Sequence, residues 1–243
     1  KKNKTYTTLL NSWGEMGPQE IIDDMANFQL PYLSLVLEDF EDNFIKNVNV
    51  KALITKLQES KFPQSSLPFL MQLLRAEADE KIKTNDTVEI LEYIHSFFVR
   101  RAICGHEPTG LHAVFKSLWK WCIEGKDLEG KKVIGLNKRN VKLFVESLPT
   151  VKIPTDEEVI KAVQEENMYS KNIVRFLIKE FDRDLGGEQP DNNFHIEHIL
   201  PQKISDEWKK YFSIEEHKQH VHTLANLIPL TQKLNTQASN KIF

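Results

Sequence analysis

The chain has 243 residues, 40% of them apolar and 28% charged, with 32 Lys+Arg against 35 Asp+Glu and a formal net charge of -3. That much apolar sequence buries a sizeable core, which excludes disorder throughout. The near-balanced charge excludes attraction of polyanions by the field of the whole molecule, so any nucleic-acid binding must come from a local site. Cys104 and Cys122 form no CxxC, which points away from a disulfide scaffold or zinc module and towards a reduced, cytoplasmic setting. No run of about eighteen apolar residues is present, so no membrane span is expected. The start Lys1-Lys2-Asn3-Lys4 has no apolar stretch behind it, unlike a signal peptide, and lacks an initiator Met; the chain reads as a portion of something longer.

From Gly17 to Phe181 the pattern is helix after helix. Ile21, Ile22, Met25 and Phe28 recur at helical spacing after Pro18, and Pro31 opens a second helix through Phe40. Asn49 is expected to cap Val50 to Glu59, and Ser66 to precede a helix carrying Leu67, Leu70, Met71 and Leu74. Asp86 with Glu89 suggests the N-cap of a helix whose buried face is Val88, Leu91, Ile94, Phe97 and Phe98, ending near Arg100-Arg101 and Gly105. The paired arginines read as partners of the helix dipole rather than as phosphate contacts. Helical patterns continue over Gly110 to Glu124, Asn137 to Leu148, Asp156 to Asn167 and Lys171 to Phe181. Trp119 falls on the apolar stripe, whereas Trp121, nearly opposite, suits an interface with a preceding part of the chain. Gly186-Gly187, Pro190 and Asp191-Asn192-Asn193 then form a polar, turn-rich joint. The expected organisation is mainly α, with a multi-helical linker or sensor domain at 1–187 and a small C-terminal domain at 188–243.

Five of the eight histidines fall in that tail: His195, His198, His217, His220 and His222. Phe194 to Pro201 alternates briefly and stops at proline, which suits a short strand; Ala225 to Leu230 suits a second, and Leu234 to Phe243 a final helix. His217, His220 and His222 stand among Glu215, Glu216 and Lys218, the pattern of a solvated helix face. Trp208, between the strands, is expected to pack.

The string Ile196-Glu197-His198-Ile199-Leu200-Pro201-Gln202, then Asn226-Leu227-Ile228-Pro229-Leu230, then Asn235 and Ser239-Asn240-Lys241, resembles the ββα-metal fold of HNH endonucleases. More narrowly, it is similar to the C-terminal nuclease domain of GmrSD-type modification-dependent restriction endonucleases and their anti-phage relatives. The step from Asn226 to Asn235 is similar to the strand-to-helix spacing in HNH domains of CRISPR effectors. The resemblance implies that His198 is the general base and that Glu197 and Asn235 are ligands of one divalent cation. It implies that Asn226 positions the loop bearing His198, and that Asn240 braces the helix or touches a phosphate. It further implies a DNA substrate, modified or foreign, and a nucleotide-dependent N-terminal domain or subunit. Nothing in these residues reads as a phosphate loop or calls for an organic cofactor.

Elementary chemistry is consistent with this assignment. Phosphodiester hydrolysis needs a base for water and a cation for the charge that develops on phosphate. A carboxylate and an amide oxygen suit Mg²⁺ or Mn²⁺, not a zinc cage. His195 shares a strand face with Glu197 and reads either as a half-buried strand histidine or as a third ligand or DNA contact. Lys233 and Lys241 are DNA-binding candidates, with Lys203, Lys209 and Lys210 adding local positive charge. Two other functions compete: a non-catalytic helical adaptor whose HNH-like tail docks DNA or a partner, and a hydrolase of RNA or a small phosphodiester.

Overall fold

The computed structural model describes residues 7, 11, 13–40, 44–124, 135–149, 151–186 and 194–230. The chain divides into two compact units, the first made of Lys1–Gln58, Phe62–His95 and Thr109–Val151, the second of Glu59–Lys61, Ser96–Pro108 and Lys152–Phe243. Among the described residues no helix is long and apolar enough to cross a membrane.

The first unit contains α1 (Pro18–Ala26), α2 (Gln29–Leu37), all but the last residue of α3 (Val48–Glu59), α4 (Leu67–Ala78), the start of α5 (Thr84–Ile103), α6 (Leu111–Glu124) and α7 (Lys138–Glu146). The helices follow the apolar spacing, while several starts are set by side chains the pattern did not single out. Asn47, not Asn49, caps α3: its Oδ1 accepts the backbone N–H groups of Asn49 and Val50 at 2.9 and 3.2 Å. Helix α5 begins at Thr84, whose hydroxyl donates to Glu77 at 2.8 Å, so Asp86 falls in its first turn. Ser66 donates to the Pro63 carbonyl at 2.7 Å and makes no side-chain cap. The core is built from Phe69, Leu70, Leu73 and Leu74 of α4, Leu111, Val114, Phe115 and Leu118 of α6, and Val50, Ile54 and Leu57 of α3. Each such side chain contributes about 1.5–3 kcal/mol of apolar burial. Trp119 meets Phe69 edge-on, and Trp121 packs on Phe144, 5.2 Å between rings, so its partner lies within this unit. Cys122 is fully buried, which pushes its thiol pKa up to about 12 and leaves it a packing residue.

The second unit begins, in three dimensions, with the end of α5. Gly105 takes a left-handed conformation (φ +68°), its N–H reaches the Ala102 carbonyl, and the His106 N–H reaches that of Arg101 at 2.8 Å, closing the helix as a Schellman turn. Arg100 pairs with Asp156 and donates to the Pro154 carbonyl; Arg101 donates to the carbonyls of Lys152 and Glu107 at 2.6 and 2.7 Å. Both arginines therefore fasten the entry to α8 (Asp156–Glu165). A capping box of Thr155 and Glu158 starts α8. After α9 (Val174–Asp184) come β1 (His195–His198), α10 (Ile214–His220) and β2 (Leu227–Leu230), with 3₁₀ turns at Trp208–Lys210 and Leu224–Asn226. The core joins Val174, Phe176, Leu177 and Ile178 of α9 to Ala162, Met168, Phe194, Leu224 and Leu227.

The two units are interleaved along the chain, their last boundary falling between Val151 and Lys152. Helices α8 and α9 spend their apolar faces on the same cluster as Phe194, Leu224 and Leu227, so they share one core with the two strands. The observed class is mainly α with a small two-stranded sheet. The helix expected from Leu234 to Phe243 lies outside the described residues.

Candidate active site

Strand β1 is anchored at both ends. At its start Phe194 is buried, with the Arg175 guanidinium 4.2 Å over its ring and Arg175 Nη2 donating to its carbonyl at 2.8 Å. Along its length it pairs antiparallel with β2, His195 opposite Leu230, Ile196 opposite Pro229, Glu197 opposite Ile228 and His198 opposite Leu227. A proline is tolerated because a two-stranded sheet has only edges. At its end the chain is clamped by Asn226. Its Oδ1 accepts the Leu200 N–H at 2.6 Å, and its Nδ2 donates to the carbonyls of Leu200 at 3.0 Å and Val221 at 2.8 Å. The Asn226 carbonyl also accepts the Ile199 N–H at 3.0 Å. One buried side chain thereby satisfies three main-chain groups in the turn that follows His198.

Strand alternation places Ile196 and His198 on one face and His195 and Glu197 on the other. Ile196 packs against the core of the unit, Glu197 is half-buried, and His195 is exposed rather than half-buried. On its own face the His198 ring is held by three neighbours. Its Nε2 lies 3.0 Å from His222 Nδ1, its Nδ1 lies 3.3 Å from the Gln202 amide nitrogen, and the Tyr169 ring meets it edge-on at 4.6 Å. Tyr169 also stacks on His222, with rings 5.8 Å apart and 16° from parallel. The His222 carbonyl accepts the N–H groups of Met168 and Tyr169 at 2.9 and 3.4 Å, tying the α8–α9 connection to the site.

Two of the histidines read as a solvated face behave otherwise. His217 is buried and its Nε2 donates to the Pro201 carbonyl at 2.8 Å, holding the turn after β1 from a second side. His222 lies beyond the end of α10 and reaches His198. His220 is exposed, as that pattern implies. Trp208 packs on Phe212, 6.0 Å between rings.

Burial, and then the neighbouring His222, pull the His198 pKa down to about 4. The ring is therefore neutral at pH 7, the state a proton acceptor requires. The same shift couples to stability. The unfolded chain holds a proton on this histidine below about 6.5, while the folded chain refuses it until about 4, so the contribution is fully present above pH 6.5 and lost as pH falls towards 4. Allowing for solvent screening of a half-exposed ring, about 1 kcal/mol is expected to disappear across that window. Urea midpoints at pH 4.5 and 7.5, in wild type and His198→Asn, would show it: the acid loss should shrink in the variant, and an equal loss in both would remove His198 as its source.

Of the residues expected in the site, the structure brings His198 and Asn226 together at the end of β1 and sets Glu197 and His195 on the opposite strand face. Asn235, Asn240, Lys233 and Lys241 lie outside the described residues. Among the described residues no group of three or more His, Cys, Asp or Glu side chains is arranged to hold a metal ion. Sequence reasoning missed His222, Tyr169 and the contact of Gln202 with the histidine ring. Only His222 had a signal, its place just before the turn that carries Asn226.

Residues 153–243 match the family model described as GmrSD restriction endonucleases, C-terminal domain. No curated protein and no solved structure matches the chain.

Proposed function

We propose, from the match of residues 153–243 to the model of the GmrSD restriction endonuclease C-terminal domain, that the second unit is an HNH-type, metal-dependent DNA endonuclease that restricts foreign or modified DNA. The observation that carries the reading is a neutral histidine, His198, at the end of a strand whose following turn is clamped by Asn226 and His217. In this reading His198 takes a proton from water as the water oxygen bonds to phosphorus. The bond between phosphorus and one sugar oxygen then breaks, and that oxygen is protonated from solvent. Asn226 touches no reacting atom; it holds the His198 turn in place.

The donor set the family implies is a carboxylate from Glu197 and an amide oxygen from Asn235. Of these the described structure contains Glu197, half-buried on the same strand face as His195, a hard oxygen donor that suits Mg²⁺ or Mn²⁺. When bound there, such an ion would stabilise the charge growing on the phosphate oxygens. The multi-helical domain expected at 1–187 would couple the nuclease to a nucleotide-dependent N-terminal part.

The test is nicking of supercoiled plasmid by this chain in Mg²⁺, Mn²⁺ or EDTA. Cleavage is expected with either ion and none in EDTA, and Glu197→Ala should raise the ion concentration needed for half-maximal nicking about tenfold or more. Nicking that survives EDTA, or an ion titration unchanged by Glu197→Ala, would exclude the metal assignment. No nicking under any condition would favour a docking role for the tail.

A further inference from the structure

We propose that Tyr169, on the connection between α8 and α9, is a positioning residue that fixes the plane of the His198 ring. This deepens the reading of His198 as the base and rests on it.

Three rings meet in a closed triangle at the end of β1. Tyr169 meets His198 edge-on, 4.6 Å between ring centres and 61° between planes; Tyr169 stacks on His222 at 5.8 Å and 16°; and His198 meets His222 edge-on at 5.1 Å and 76°. What the backbone supplies at His198 is position alone. Pairing with β2 and the Asn226 clamp fix where the strand ends, but the last torsion of a histidine has broad minima, so its ring plane is set by whatever packs on it. His222 holds one ring nitrogen at 3.0 Å, and a contact through a single atom lets a ring turn about that line. Gln202, at the other ring nitrogen, is exposed. The Tyr169 ring is the neighbour that blocks the turn, because a rotating imidazole would strike a ring already at contact distance.

Tyr169 is placed by groups that do not involve His198. Met168 before it is fully buried in the core of the unit, and its N–H bonds to the His222 carbonyl at 2.9 Å. The Tyr169 N–H reaches the same carbonyl at 3.4 Å. On either side, Asn167 Oδ1 accepts the Ser170 N–H at 3.2 Å and the Lys171 N–H reaches the Met168 carbonyl at 3.0 Å, a turn closed by its own side chain. The α8–α9 connection therefore presents a ring whose place is settled without His198, and His198 takes its plane from it. The contact is made by the ring, so the tyrosine hydroxyl is dispensable. A base whose plane wanders spends less time aimed at the water, which slows the chemical step without changing how DNA is held.

The experiment uses the whole chain with ¹³C-labelled histidine and tyrosine rings, beside plasmid nicking in Mg²⁺. The His198 ring protons are assigned by their loss in His198→Asn, and wild type should show nuclear Overhauser effects between them and the Tyr169 ring protons. Tyr169→Phe keeps the ring and should leave the His198 ring signals in place and kcat within about twofold of wild type. Tyr169→Leu keeps an apolar side chain but no flat ring. It should move the His198 ring signals towards those of a free imidazole and lower kcat about tenfold, the upper worth of one aromatic pair, with KM within about twofold. Full kcat in Tyr169→Leu, whether or not the signals move, would overturn the proposal. So would a Phe variant as slow as Leu, or a Leu variant whose loss is all in KM. If the Leu variant does not fold, the wild-type ring contact decides: its absence overturns the proposal, and its presence together with full kcat in Tyr169→Phe upholds it. A wild-type chain that cuts no DNA with Mg²⁺ or Mn²⁺ overturns instead the reading of His198 as a base, while the ring signals on the same protein still report whether Tyr169 holds the imidazole.

Discussion

His198→Ala is expected to lower metal-dependent cleavage by about 10²- to 10⁴-fold while leaving the fold intact, the range removed when a positioned general base is lost. The fold should survive because the ring contributes to no core cluster. It is half-buried, and its neighbours are the aromatic edge of Tyr169, one nitrogen of His222 and the exposed amide of Gln202. The change leaves His222 Nδ1 without its hydrogen-bond partner, at a cost of about 1 kcal/mol where water can reach in its place. His198→Asn refines the test. Its side-chain oxygen can accept a hydrogen bond near the site of Nδ1 but cannot take a proton, so it should be as inactive as alanine if proton transfer is what the histidine supplies. Wild-type turnover in either variant, with unchanged melting by circular dichroism, would remove His198 from the chemistry.

The second large effect is on stability. Asn226→Ala should destabilise the second unit by about 3 kcal/mol or more, because it orphans the Leu200 N–H and the carbonyls of Leu200 and Val221. A buried group left unsatisfied costs roughly 1–3 kcal/mol. Against a total domain stability of about 5–15 kcal/mol, that is enough to populate an opened turn. Asn226→Asp separates the two halves of the clamp. It keeps an acceptor for the Leu200 N–H but turns a donor into an acceptor facing two carbonyls, so it too should be destabilising. Hydrogen exchange reads this locally: the Ile199 and Leu200 amides should lose protection first. Wild-type protection and melting in the alanine variant would show that the clamp contributes little. The contrast with His198→Ala is diagnostic, since one variant should lose chemistry with the fold intact and the other should lose both.

The helices and both strands were legible because their signals are local. Apolar spacing located α1 to α9 to within a few residues, and the short alternating run ending at Pro201 located β1. Helix starts were less legible, since two residues of one type compete for a cap and geometry decides: Asn47 reaches the free N–H groups and Asn49 is already inside α3. The site was legible where a motif concentrates it in consecutive residues, as at Glu197-His198. It was illegible where partners meet across the fold. His198 and His222 are 24 residues apart, and Tyr169 comes from a loop between two helices. Polar flanking residues made His217 look solvated, although the one ring nitrogen that matters points inward to Pro201.

The bonds from Met168 and Tyr169 to the His222 carbonyl mean that the histidine pair is not a cassette that can be lifted out at the glycine-rich joint. A chimera that grafts only the last fifty-odd residues onto another carrier would take the motif and leave behind the stacking tyrosine, both N–H donors and the α9 face that covers Phe194. A graft beginning near Lys152, which takes α8 and α9 along, is the smallest piece in which the ring nitrogens would keep their orientation.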